Sequence, residues 1–220
     1  MTDPAVPYDD PKAFVRACTA LLPPPLVPEV PLHLAVETFE IWRQSEEALG
    51  ARGLPPPFWA FAWAGGQALA RYCLDHPELV RGRTVLDFAA GGAVSGIAAL
   101  KAGARSVEAS ELDAFAIAAI EANAAANHVA ISPRLEDVVG RDDGWDVVLA
   151  GDVFYEAELG ERVGHWLHGL HRRGATVLIG DPGRAFLPRG ELEQLARYTV
   201  PVMRELEDRE VQFAKVWRFA

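Results

Sequence analysis

Cysteine is scarce: among 220 residues only Cys18 and Cys73 occur, far apart and outside any C-x-x-C pair. That excludes a disulfide-stapled scaffold and a thiolate zinc site, and leaves two reduced, buried thiols as the expectation. Basic residues are short as well, with 21 Lys and Arg against 31 Asp and Glu and a formal charge of −10. Nucleic-acid binding rests on clustered Lys and Arg, so no nucleic-acid partner is expected. The charge suits a basic, lysine-bearing partner, although acidity also serves solubility alone. No apolar run reaches the roughly 18 residues that span a bilayer, and no basic stretch leads into an apolar one at the start. A cytoplasmic monomer without a membrane partner is the expectation. Histidine shows no metal spacing: His165 and His168 lie one turn apart without a third ligand, so no metal site is expected. Internal repeats are missing too.

What the chain has is core material, 50% hydrophobic residues, and an alternation of strand and helix patterns. Residues 10–22 read as a helix, with Pro11 in its first turn and Phe14, Val15, Cys18, Leu21 and Leu22 on one side. A short strand near 30–36 and a helix over 39–49 follow, and Pro55-Pro56-Pro57 forms a stiff linker. Residues 1–57 are taken as an N-terminal extension laid on a main domain of 58–220. That domain begins with a helix over 65–75. Strands at 84–88, 106–110, 131–135, 145–150 and 176–179 then alternate with helices at 93–102, 114–123 and 159–170. A helix over 189–197 precedes two closing stretches, 199–206 and 211–219, spaced to pair as an antiparallel hairpin. The fold class is α/β: a Rossmann-like, mostly parallel seven-stranded sheet with a C-terminal antiparallel hairpin and helices on both faces.

Within this frame, Val85-Leu86-Asp87-Phe88-Ala89-Ala90-Gly91-Gly92-Ala93-Val94 reads as a strand ending in an acid, a loop of the smallest residues, and a helix start. The next strand closes on a second acid, Glu111. Small residues let a backbone approach a ligand, and an acid ending the next strand suits a ribose diol. A dinucleotide would want G-x-G-x-x-G, yet Ala89 and Ala93 stand where glycine is expected, and Asp87 would face phosphate charge. S-adenosylmethionine carries no phosphate, and its ammonium and sulfonium suit an acid. Both acids could instead simply cap helix N-termini. Asp137, Asp152 and Asp181 fall on the same rim of the sheet. The alternating Trp59, Phe61 and Trp63 also allow a plain strand or core edge, and Asn123 and Asn127 read as a helix end.

In this order the motifs resemble the seven-stranded class I methyltransferases that use S-adenosylmethionine. The exit Gly151-Asp152-Val153-Phe154-Tyr155 and the run Phe58-Trp59-Ala60-Phe61-Ala62-Trp63-Ala64-Gly65-Gly66 are similar to the protein-lysine subgroup. Gly180-Asp181-Pro182-Gly183-Arg184 looks like the enzymes that methylate the β subunit of electron transfer flavoprotein. The resemblance implies S-adenosylmethionine as cofactor, held by Trp63, Asp87, Ala89, Gly91, Glu111, Asp137 and Val138. It implies a protein lysine as substrate, met by Phe154, Asp181 and Arg184, with Asp152 and Tyr155 as the catalytic pair. Asp152 is expected to aim the ammonium rather than act as a base, and Tyr155, Phe154 and Trp63 to form an apolar, cation-attracting wall. The N-P-P-Y exit of amide and adenine methyltransferases is missing. Rival readings are a methyltransferase for another protein, such as a ribosomal protein, or for a small amine; a binding protein of the same fold; and a nicotinamide oxidoreductase.

Overall fold

The computed structural model describes residues 9–35, 50, 56–201 and 211–220. Its frame is a seven-stranded sheet of order β5-β4-β3-β6-β7-β9-β8. The strands are β3 (Thr84–Phe88), β4 (Ser106–Glu111), β5 (Ser132–Leu135), β6 (Val147–Gly151), β7 (Thr176–Asp181), β8 (Leu192–Pro201) and β9 (Val211–Phe219). Five run parallel, β9 lies antiparallel to β7, and β8 antiparallel to β9. The helices are α1 (Pro11–Cys18), α2 (Ala64–Asp75), α3 (Val94–Lys101), α4 (Ala114–Ala126) and α5 (Ala157–Arg173), and a small β1 (Thr19–Leu22) and β2 (Leu32–Ala35) pair antiparallel.

Period-two alternation sorts each central strand between two cores. From β3 and β6, Leu86, Phe88, Val148 and Ala150 face the layer of Trp166, Leu167 and Leu170 on α5. Val85, Val147 and Leu149 face the layer of Ala68, Leu69 and Cys73 on α2 and Ala99 on α3. The same alternation puts Asp87 on the α2–α3 side, where it is buried. Chain order reverses between β3 and β6, so the crevice beyond their C-terminal ends is the place where α/β sheets bind ligands.

Glycine at two places lets α2 sit on that crevice. Cβ atoms on Gly65 or Gly180 would each collide with the other's carbonyl oxygen, so the start of α2 touches the end of β7 backbone to backbone. The contact aims the Gly66 N–H at the β6 exit. Described residues ahead of the sheet are tied to it by asparagines. Asn123 on α4 accepts from His33 N–H at 2.6 Å and donates to the Gly92 carbonyl at 2.9 Å, and Asn127 donates to Pro31 O at 2.7 Å. Phe14 packs edge-on against Phe115, centroids 4.8 Å apart.

Two sequence expectations need correction. The helix expected over 10–22 ends at Cys18: Thr19 turns extended, its hydroxyl donates to Val15 O at 2.6 Å, and Thr19–Leu22 pairs with β2, leaving Leu21 and Leu22 largely exposed. The helix expected over 189–197 is a single 3₁₀ turn, Arg189–Glu191, followed by β8. Tertiary context overrides helix propensity there, because β9 needs a partner on its outer edge. Of the two alternatives left open for Trp59, the structure has the core edge: it lies in a 3₁₀ turn, Phe58–Ala60, and is buried beside Phe14 and Phe61. The helix expected over 39–49 and the part of the 199–206 stretch beyond residue 201 lie outside the described residues.

Candidate active site

A cavity of about 410 Å³ opens at the C-terminal ends of β3, β4 and β6, roofed by the 3₁₀ turn and the start of α2. Of the sequence-derived candidates it is lined by Trp63, Ala89, Gly91, Glu111, Asp137, Asp152, Tyr155 and Arg184. Asp87 borders a smaller adjoining recess that shares Trp63, Ala89, Gly91 and Asp152. Three candidates face elsewhere. Val138 and Phe154 are fully buried in the core beneath α5, Phe154 packing on Gly160 and Gly164, so Phe154 cannot form a channel wall. Asp181 is buried in its own turn, where its Oδ1 accepts from the backbone N–H of Gly183 and of Arg184 at 2.5 and 2.7 Å. Those two bonds close the turn that carries Arg184.

On the cofactor side, Glu111 ends β4 and its Oε1 accepts from Gly91 N–H at 2.6 Å, while Oε2 accepts from Leu112 N–H at 3.1 Å. The loop between β3 and α3 is bent by left-handed residues: φ is 49° at Ala89, 53° at Gly91 and 60° at Ala93. For the two alanines this costs roughly 1–2 kcal/mol each, so the loop keeps a glycine-type path without the glycines. Asp87 accepts from Gly96 N–H at 2.8 Å. Burial pushes its carboxyl up to about 8, against the pull of that hydrogen bond and helped by the nearby negative Glu111. Asp137 accepts from Val139 N–H at 2.9 Å and pairs with Arg162 at 2.8 Å; the two together hold it below the usual carboxylate range.

On the other side, Asp152 sits just after β6 with φ 59°, and its Oδ2 accepts from Gly66 N–H at 2.9 Å. Its Oδ1 lies 3.3 Å from an Arg184 Nη. Burial raises Asp152 to about 6, with Arg184 opposing the shift and Asp181 adding to it. Tyr155, Phe58 and Trp63 form an aromatic chain, with centroids 6.3 Å apart for Phe58–Tyr155 and 5.9 Å for Phe58–Trp63. Sequence reasoning passed over Phe58, Leu112, Arg162 and Ser110. Phe58 opens the aromatic run but carries no role in the sequence reading, and Leu112 merely follows Glu111 in sequence. Arg162 arrives from α5, and no local signal marked it.

The residues fit S-adenosylmethionine. Among the described residues the cations of the lining are Arg162 and Arg184, and both lie against carboxylates, at 2.8 and 3.3 Å, rather than open to a pyrophosphate. Ser110 Oγ, at the edge of the cavity, is buried with no hydrogen-bond partner among the described residues. Glu111 puts carboxylate oxygens at the end of β4, where folds of this kind meet a ribose, and the loop at Gly91 leaves room for close approach.

Asp87 makes the ligand-free fold sensitive to pH. Its pKa is raised from an ordinary 3.8 to about 8. The folded protein therefore holds a proton that the unfolded chain releases. The stability this group contributes is complete below about pH 4 and is lost as pH rises through about 8. Thermal melts of the ligand-free protein should show that loss, on the order of a few kcal/mol, and Asp87→Asn should flatten it. An equal slope in the variant would show that Asp87 is not its source.

Strand order, the reversal between β3 and β6, and a cavity framed by Glu111 and the β3–α3 loop define a class I methyltransferase. The sequence model of the ribosomal protein L11 methyltransferase family (PrmA) matches residues 67–152. Solved structures with the same fold include the ribosomal protein L11 methylase of Lactobacillus delbrueckii subsp. bulgaricus, with TM-score 0.50, 19% identity, and coverage of 73% of this chain and 81% of that one. Another is the magnesium protoporphyrin IX methyltransferase of Synechocystis PCC 6803 with bound S-adenosylmethionine, with TM-score 0.51, 13% identity, and coverage of 70% and 77%. Among curated proteins, the electron transfer flavoprotein β subunit lysine methyltransferase of Danio rerio is 38% identical over 219 residues, covering 96% of this chain and 84% of that protein. Its Homo sapiens counterpart is 33% identical over 201 residues, covering 88% and 76%. The chain belongs to this family of S-adenosylmethionine-dependent protein-lysine methyltransferases.

Proposed function

We propose that this chain methylates lysine side chains of the β subunit of electron transfer flavoprotein. The observation that carries the reading is an ionisable carboxylate, Asp152, at the wall of a cavity whose mouth is aromatic. Relatives named for that substrate, matching along nearly the whole chain, support it. Bound S-adenosylmethionine supplies a methyl group activated by a positively charged sulfur. Glu111 would hold the ribose, Asp87 the ammonium of the methionine part, and Trp63, Ala89, Gly91 and Asp137 the remaining wall.

A lysine ammonium has a pKa of about 10.4, and presenting it neutral at pH 7 costs roughly 4–5 kcal/mol. Asp152, raised to about 6, still lies roughly four units below the amine, too acidic to hold its proton. Its role is to dock and aim the ammonium, while Tyr155, Phe58 and Trp63 sheathe the stem and attract the cation. The proton leaves to water, and the apolar surround favours the neutral amine. Residues 58–220 are taken as the catalytic domain and 1–57 as an extension. The free, buried Cys18 and Cys73 accord with a reducing, cytoplasmic setting, and a monomer is the proposed working form.

The test is transfer of labelled methyl from S-adenosylmethionine to purified β subunit, with ribosomal protein L11 and small amines in parallel. Label on lysines of the β subunit alone is expected. An unlabelled β subunit beside a labelled L11 or amine would overturn the substrate.

A further inference from the structure

Arg184 is held in a way that its loop alone does not require. The Asp181 carboxylate fixes its backbone, so the side chain is free to choose its partner. Its guanidinium reaches over the Trp63 ring, 5.8 Å from the centroid, and meets Asp152 through one long contact of 3.3 Å. Its Nε is buried with no hydrogen-bond partner among the described residues. An arginine has five N–H donors arranged to grip a carboxylate in pairs, and here that capacity is largely unused. With Oδ2 of Asp152 engaged by Gly66 N–H, Oδ1 is the oxygen left for a second donor, and Arg184 occupies it. A cation set against a carboxylate and an aromatic face, at the wall of the cavity, is the arrangement a substrate ammonium would need.

We propose that Arg184 is an internal stand-in for the substrate ammonium, which an incoming lysine must displace from Asp152 and Trp63. This rests on the reading of Asp152 as the carboxylate that docks the lysine. The consequence is specificity. A small amine brings only its own charge and gains nothing by exchanging one cation for another. A lysine carried on a docked protein brings binding energy from remote contacts, and that energy drives the displacement. The loose grip of Arg184 keeps the barrier low enough for the right substrate to cross.

The probe is n-butylammonium, a lysine side chain without its protein, titrated calorimetrically into the full chain saturated with S-adenosylhomocysteine. Working at about pH 8.5 keeps the amine charged and Asp152 ionised. Arg184→Met, which keeps the apolar stem and removes the charge, should bind the probe about tenfold tighter or more than the parent chain. Arg184→Gln should move in the same direction, and Arg184→Lys, which restores a cation, should return toward the parent value. Equal or weaker binding in both neutral variants, with affinity for S-adenosylhomocysteine preserved in at least one of them, would overturn the proposal. Methylation of the β subunit by the same parent preparation separates the two readings. Normal methylation with no gain for the variants removes only the role of Arg184, whereas no protein-lysine methylation removes the reading beneath it.

Discussion

Asp152→Asn is expected to lower kcat/KM for lysine methylation by about a hundredfold or more while leaving affinity for S-adenosylmethionine close to that of the parent chain. Asparagine is the informative substitution because of the backbone. Asp152 has φ 59°, and asparagine tolerates that left-handed conformation far better than alanine. Its carbonyl oxygen can also keep the hydrogen bond from Gly66 N–H, now 2.9 Å, that anchors the start of α2 against β6. What the variant loses is the charge. An ammonium drawn into a site this buried without its carboxylate forfeits about 3 kcal/mol, which sets the hundredfold expectation. The loss should fall on kcat/KM for the protein substrate, measured by initial rates with labelled cofactor. A variant retaining more than about a third of the parent kcat/KM would show that Asp152 only holds α2 in place.

The centre of the sheet was legible because β3, β6 and β7 are apolar runs bounded by turn chemistry, with Asp87 next to last in β3 and Glu111 closing β4 at the edge where loops gather. The placement of Asp87, Glu111 and Asp152 around the cavity was legible, because their positions follow from chain order and parallel pairing. The site was misread where a side chain's direction depends on packing. Phe154 follows Asp152 by two residues, yet it turns down onto the glycines of α5 and is wholly buried. Phe58, to which the sequence reading gave no role, lines the cavity instead, beside Tyr155. The ends of the chain misled for another reason. Local pattern favoured helix at 19–22 and 192–197, and in both places the open edge of a neighbouring strand decided otherwise. Ala89 and Ala93 read as departures from a glycine-rich loop; their positive φ values show the loop path retained and the strain borne locally.

Glu111→Ala is expected to weaken S-adenosylmethionine binding by at least about two orders of magnitude. Two effects add. The carboxylate would accept from the ribose hydroxyls, and charge-assisted hydrogen bonds contribute roughly 1.5–3 kcal/mol each. It also holds Gly91 N–H at 2.6 Å, so its removal frees a loop in which Ala89, Gly91 and Ala93 are all left-handed. Glu111→Gln separates the effects. Glutamine keeps a neutral acceptor for Gly91 but loses the charge and one acceptor oxygen. If the ribose contact dominates, calorimetry should place this variant about tenfold or more below the parent chain, with its melting temperature little changed. If Glu111 serves only to hold the loop, glutamine should restore most of the affinity, and the alanine variant's loss should track a fall in thermal stability. Cofactor binding by Glu111→Ala within about threefold of the parent would defeat both accounts, leaving the end of β4 without a part in binding.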